Sequence, residues 1–170
     1  MDTKNLGFNT KLIHAGDIDD AYGSAVTPIY QTSTFSFKNA QHGADLFAGK
    51  DRGFIYTRIG NPTIEALENK LAELENGYRG IAFSSGMAAV SAVYMTVLGQ
   101  GDHMISTSAV YGPSRCVMES HFAKFGVEYS YINTSNLDEL ENSFRPNTRL
   151  LYIETPANPT ITLTHIQKAA

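Results

Sequence analysis

At 170 residues with 42% apolar side chains, the chain is long enough for one domain, or part of one, with a real core. Thirteen basic against 17 acidic residues give a net charge of -4, too small and too evenly mixed for nucleic acid or an anionic membrane as partner. The expected partner is a small molecule. A lone cysteine, Cys116, excludes an internal disulfide, no signal-like segment opens the sequence, and no apolar run approaches the ~20 residues of a membrane-spanning helix. A reducing cytoplasm is the expected setting.

In chain order, residues 1–60 are polar and glycine-punctuated, with 27–35 reading as extended chain and a first helix only at 40–47. Such a segment cannot easily bury itself, so an arm laid over a neighbouring subunit is expected. From Asn61 the pattern becomes regular. Asn61 suits a helix cap, Pro62 the first helical position, and Ile64, Leu67, Leu71 and Leu74 fall on one face before Gly77. Then come a short apolar strand at 81–83, a small-residue helix at 86–98, a strand at 103–107, a helix at 113–125, a strand at 127–132, a capped helix at 136–144 and a strand at 149–154. This alternation predicts an α/β fold: a mainly parallel sheet with helices on both faces over 61–170, preceded by the arm over 1–60. Ligands of such sheets sit beyond the carboxyl ends of the strands. Thr164 reads as the cap of a helix at 165–170, a run so short that Ala170 is taken as a truncation point, the alternative being a frayed natural terminus.

Each candidate site has an ordinary structural explanation beside the functional one. Ser84, Ser85, Gly86 and Met87 occupy a strand-to-helix turn, where unpaired amides and the positive end of the helix dipole suit a phosphate. Small residues there also serve simply for tight packing. Gly99 and Gly101 follow a helix and read as its terminator, not as a dinucleotide fingerprint. Tyr111, after the strand at 103–107, can stack a flat ring or move a proton, or merely half-cover the core. Tyr56 and Arg58 offer a phenol and a guanidinium on one face of an extended segment, fit for an anion or simply a solvated strand edge. Glu154 and Asn158 lie just past the last strand, where an asparagine amide can bond a phenolic oxygen; a plain proline turn is the alternative. The five histidines show no metal-ligand spacing, and Cys116 reads as helix packing.

Taken together, the segments Thr10 to Gly16, Pro28 to Phe35, Tyr56 to Arg58, Gly60 to Thr63, Ser84 to Ala88, Tyr111 with Gly112, Glu154, and Asn158 with Pro159 resemble one group along the whole length. The chain is similar to the pyridoxal-phosphate enzymes of cysteine and methionine metabolism, which include cystathionine γ-synthase, cystathionine and methionine γ-lyases and O-acetylhomoserine sulfhydrylase. The resemblance implies a fold-type I architecture, pyridoxal 5'-phosphate as cofactor, an amino acid as substrate and a homo-oligomer, dimer or tetramer. It implies that Ser85, Gly86 and Met87 cradle the cofactor phosphate and that Tyr56 and Arg58 reach it from the adjacent subunit. Tyr111 would stack on the ring and assist proton movement, Asn158 would hold the phenolic oxygen, and Glu154 would support it.

Two departures accompany the resemblance. Family members are longer, and none of Lys4, Lys11, Lys38, Lys50, Lys70, Lys124 and Lys168 stands where the Schiff-base lysine is expected; that lysine and the aspartate facing the pyridine nitrogen are expected beyond Ala170. Methionine γ-lyases carry a cysteine directly after the Tyr-Gly pair, whereas Pro113 stands here, which argues against strict methionine specificity. The expected activity is carbon-sulfur elimination, with γ-replacement as the alternative and a non-catalytic α/β binding module as the rival of another class. The 170-residue chain alone is expected to be inactive.

Overall fold

The computed structural model describes residue 3 and residues 5–170; Met1, Asp2 and Lys4, part of the expected arm and of the lysine set, lie outside the described residues. The chain divides into two compact units, Met1–Ala82 and Phe83–Ala170. The helix that starts at Pro62 thus groups with the preceding segment, not with the sheet. Its partner there is a helix the sequence did not announce.

In the first unit, α1 (Phe8–His14) follows Gly7 without any side-chain cap, α2 (Ala40–Phe47) is capped by Asn39, and α3 (Pro62–Leu74) is capped by Asn61. α1 packs on α3, with Ala15 and Ala66 buried at the contact region. Gly16 makes the approach possible: it has φ +71, and a Cβ there would lie 2.3 Å from the Ala66 carbonyl oxygen. Only glycine tolerates both the angle and the closeness. The Asn61 side chain accepts the Thr63 amide at 2.9 Å, and Pro62 occupies the first turn as expected. The stripe of Ile64, Leu67 and Leu71, however, stays 38%, 50% and 49% exposed, and it is small Ala66 that is buried where α3 approaches Gly16. The helix ends at Leu74 with Glu75 as its cap, and Asn76, one residue before Gly77, takes the left-handed conformation that follows, with φ 53.

The second unit is built on a three-stranded parallel sheet in the order β2-β1-β3, from β1 (His103–Thr107), β2 (Glu128–Ile132) and β3 (Thr148–Tyr152). Its helices are α4 (Gly86–Val97), α5 (Gly112–Ser120), a 3-10 turn (Phe122–Phe125), α6 (Leu137–Asn142) and α7 (Ile166–Ala169). β1 is central and buried throughout. Because successive strand residues face opposite sides, Met104 packs with Tyr94, Leu98, Met118 and Phe122, while Ile105 packs with Ile132 and Leu140. α4 and α5 therefore cover one face and α6 the other. The chain leaves β1 for β2 across the α5 face, then returns over β1 to β3 across the α6 face. The strand order reverses between β1 and β3, and a crevice opens outside their carboxyl ends at such a point.

Several sequence expectations are corrected here. Residues 81–83 form no strand: Ile81 and Phe83 are 69% and 45% exposed and no described strand pairs with them, so the apolar run lacks the ladder partner a strand requires. The helix expected over 113–125 starts at Gly112 and breaks at His121 into the 3-10 turn, and β3 ends at Tyr152, short of Glu154. Thr164 does not cap the last helix; its hydroxyl pairs with that of buried Thr134, and His165 stands at the cap position instead. No described helix is long and apolar enough to cross a membrane.

Candidate functional site

The first turn of α4 is open. Ser85 caps it in extended backbone, its hydroxyl oxygen accepting the Ala88 amide at 3.1 Å, which leaves the hydroxyl hydrogen and the Gly86 and Met87 amides without an intrahelical acceptor. A Cβ built on Gly86 meets nothing within 4 Å. Gly86 is exposed, and its amide lies at the positive end of the helix dipole.

Other elements converge on this turn. Ser114, buried in the first turn of α5, places its hydroxyl 3.6 Å from the Met87 sulfur. Tyr111, at the amino-terminal cap of α5, is 57% exposed. Its amide donates to Glu154 Oε2 at 2.7 Å, and the Asn158 amide donates to Glu154 Oε1 at 3.3 Å. Gly86, Met87, Tyr111, Glu154 and Asn158 are therefore brought to one place, at the carboxyl ends of β1 and β3 where the strand order reverses. Arg115, next to this loop in sequence, turns elsewhere: it bonds Glu119 at 2.7 Å and lies over the Tyr131 ring at 4.3 Å.

This donor set fits the phosphate and ring portions of pyridoxal 5'-phosphate. Unpaired amides at an exposed helix start suit a phosphate, an exposed phenol at the cap of the helix packed on that turn suits stacking, and the Asn158 amide side chain can donate to a phenolic oxygen.

Tyr56 and Arg58 lie in the first unit, in a turn and not on an extended face. The amides of Ile59 and Gly60 both donate to the Tyr56 carbonyl, at 2.8 and 3.0 Å, and Tyr56 pairs with Thr34 in an antiparallel bridge. The turn still brings the two side chains together, the guanidinium 5.2 Å from the Tyr56 ring centroid. They line an open cavity of about 700 Å³ with Tyr30, Thr57, Asn61 and Thr63. Asn61 has a double function there: its oxygen caps α3, while its nitrogen donates to the Tyr30 carbonyl at 2.9 Å and to the Thr57 hydroxyl at 3.1 Å.

Sequence reasoning missed Ser114, the Asn61 bridge and the two bonds of Glu154. Only Ser114 carried a local signal, a small side chain three positions after Tyr111. Cys116 is exposed, with its sulfur 3.6 Å from the Ser120 hydroxyl, so packing does not account for it. Among the described residues no group of three or more His, Cys, Asp or Glu side chains is arranged to hold a metal ion.

The family model for "Cys/Met metabolism PLP-dependent enzyme" matches residues 9–170. The chain is 47% identical over 167 residues to an L-methionine gamma-lyase of Fusobacterium nucleatum subsp. nucleatum, covering 98% of this chain and 42% of that relative. It is 39% identical over 155 residues to an O-acetyl-L-homoserine sulfhydrylase of Corynebacterium glutamicum, covering 90% of this chain and 36% of that relative. The crystal structure of metB from Corynebacterium glutamicum superposes with a TM-score of 0.88 at 39% identity, over 99% of this chain and 42% of that one. The chain thus spans well under half the length of these relatives. With the family model matching nearly the whole chain and relatives this similar, the chain belongs to the Cys/Met metabolism enzymes that depend on pyridoxal 5'-phosphate.

Proposed function

We propose that this chain supplies the phosphate cradle and ring platform of a carbon-sulfur lyase that acts on a sulfur amino acid by γ- or β-elimination. When bound, the cofactor supplies an electron sink for bond breaking at the amino-acid carbons. Ser85, Gly86 and Met87 bind its phosphate through the hydroxyl and the unpaired amides. Tyr111 stacks on the ring and its phenol moves a proton at the leaving group; Asn158 holds the phenolic oxygen, with Glu154 in support. None of the chain's lysines is assigned covalent attachment of the cofactor, and the chain alone is proposed to be inactive.

Residues 1–60 act as an arm between subunits of a homo-oligomer, a dimer or a tetramer, with Tyr56 and Arg58 completing a neighbour's phosphate site. The exposure of Ile29, Val26 and Ile59, at 83%, 76% and 69%, supports an arm that has more to cover than its own unit. The single observation that carries the cofactor reading is the open first turn of α4, packed on the helix α5 that exposed Tyr111 caps.

Equilibrium dialysis of the protein against pyridoxal 5'-phosphate and against pyridoxal tests it. The phosphorylated form is expected to bind at least about tenfold tighter, a difference of ~1.4 kcal/mol, and inorganic phosphate to compete. Equal affinity for the two would contradict the cradle. A second reading, γ-replacement, draws on the similarity to the sulfhydrylase. Assay of a complete enzyme for keto-acid release from a sulfur amino acid, against sulfide incorporation into O-acetylhomoserine, separates the two.

A further inference from the structure

Glu154 stands two residues past the end of β3, and each of its carboxylate oxygens is directed at a different backbone amide. Oε2 accepts from Tyr111, in the loop that leaves β1, and Oε1 accepts from Asn158, four residues farther along the loop that leaves β3. The two loops flank the point where the strand order reverses. Between the strands, ladder hydrogen bonds fix spacing; past Ser106 and Tyr152 the β1–β3 ladder has ended. The Glu154 side chain continues the link with one charged acceptor shared between the loops.

The arrangement matters because Tyr111 is 57% exposed and Asn158 is also exposed, so neither is enclosed by packing. Where each can point is set by where its backbone is held. A carboxylate is suited to this use: it offers only acceptors, two of them, at a fixed separation. Glutamine would keep one oxygen and turn an NH2 group toward the other amide, donor against donor. The negative charge also lies at the amino-terminal end of α5, where the helix dipole favours it.

We infer that Glu154 is a positioning residue, which fixes the distance between Tyr111 and Asn158 through their backbone amides and does not itself contact the cofactor. The inference rests on the assignment of Tyr111 and Asn158 to the cofactor ring, but the linkage can be tested without any cofactor. In the isotope-labelled protein, scalar couplings across hydrogen bonds are expected from the Tyr111 and Asn158 amide nitrogens to the one side-chain carboxyl carbon of Glu154. Absence of both couplings would overturn the inference, and this measurement needs no variant.

Glu154→Gln is then expected to speed amide exchange at Tyr111 and Asn158 together, on the order of tenfold, while Met104 and Ile105 in β1 keep their protection. Glu154→Asp, with its charge retained and its reach shortened, is expected to restore protection at one of the two amides and not both. Unchanged exchange at both amides in Glu154→Gln would also overturn the inference. Addition of pyridoxal 5'-phosphate separates this question from the proposed function. Shifts at Gly86 and Met87 that persist in Glu154→Gln while those at Tyr111 and Asn158 diminish support positioning. Equal shifts at all four in the variant count against it. If the parent protein shows no shift at any of the four, the cofactor reading fails, and the couplings still decide the linkage.

Discussion

Ser114 on α5 meets Met87 on α4, its hydroxyl 3.6 Å from the thioether sulfur, and this contact holds the open first turn of α4 against the helix that Tyr111 caps. Sulfur is a weak acceptor, so the shape of the contact matters more than its hydrogen bond. Ser114→Ala is expected to leave stability within about 1 kcal/mol of the parent. Ser114→Leu, which forces a larger side chain into a fully buried position, is expected to cost ~1–3 kcal/mol and to weaken cofactor binding by displacing the α4 turn. Denaturant midpoints and cofactor dialysis of the two variants check this; equal midpoints for both would contradict the tight contact.

His103, fully buried at the start of β1, joins all three strands: Nδ1 lies 2.8 Å from the Thr148 hydroxyl on β3 and Nε2 3.0 Å from the Ser130 hydroxyl on β2. Burial, and secondarily the Arg145 guanidinium, hold its pKa below the ordinary imidazole value, against a smaller opposing effect of Glu128. The unfolded chain therefore binds a proton near pH 6.5 that the folded chain refuses. This contribution to stability is complete above pH 6.5 and is lost as pH falls below it, with a slope of at most about 1.4 kcal/mol per pH unit for one group. Unfolding free energies from pH 8 down to 5 are expected to show this decline in the parent and its loss in His103→Gln.

Arg58→Ala is expected to weaken binding of pyridoxal 5'-phosphate in the assembled enzyme by removing a charge-assisted bond worth ~1.5–3 kcal/mol, roughly a tenfold to hundredfold loss. Cofactor titration of mutant and parent measures it. Equal dissociation constants would make Arg58 a surface charge stacked on Tyr56.

Residues 1–60 are expected to be cleaved before the second unit when a monomeric sample is treated with protease, and to become resistant on association. Peptide mapping of early cuts decides this. A monomer whose first sixty residues resist as well as the sheet would contradict the intersubunit arm.

What was legible in the sequence followed from local chemistry. The Asn61 cap with Pro62, the Asn136 cap of α6 and the Gly86 start of α4 all depend on residues within one turn of each other. What was not legible depends on distant partners. α1 has no capping side chain and exists against α3; the apolar run at 81–83 lacks a strand to pair with; Thr164 prefers Thr134 to its own helix. At the site, the positions of Tyr111, Glu154 and Asn158 could be read as loop residues past strands. That one carboxylate joins the other two required the register of β1 beside β3.

The cradle itself is tested most directly at Gly86, where a side chain would enter space that is open in the protein and that the phosphate is proposed to fill. Gly86→Val meets no atom within 4 Å at its Cβ and its backbone is helical, so the variant is expected to melt close to the parent. Its dissociation constant for pyridoxal 5'-phosphate, measured by equilibrium dialysis beside the parent, is expected to rise at least about tenfold, or ~1.4 kcal/mol. A folded Gly86→Val protein that binds the cofactor as tightly as the parent would contradict the placement of the phosphate at the first turn of α4.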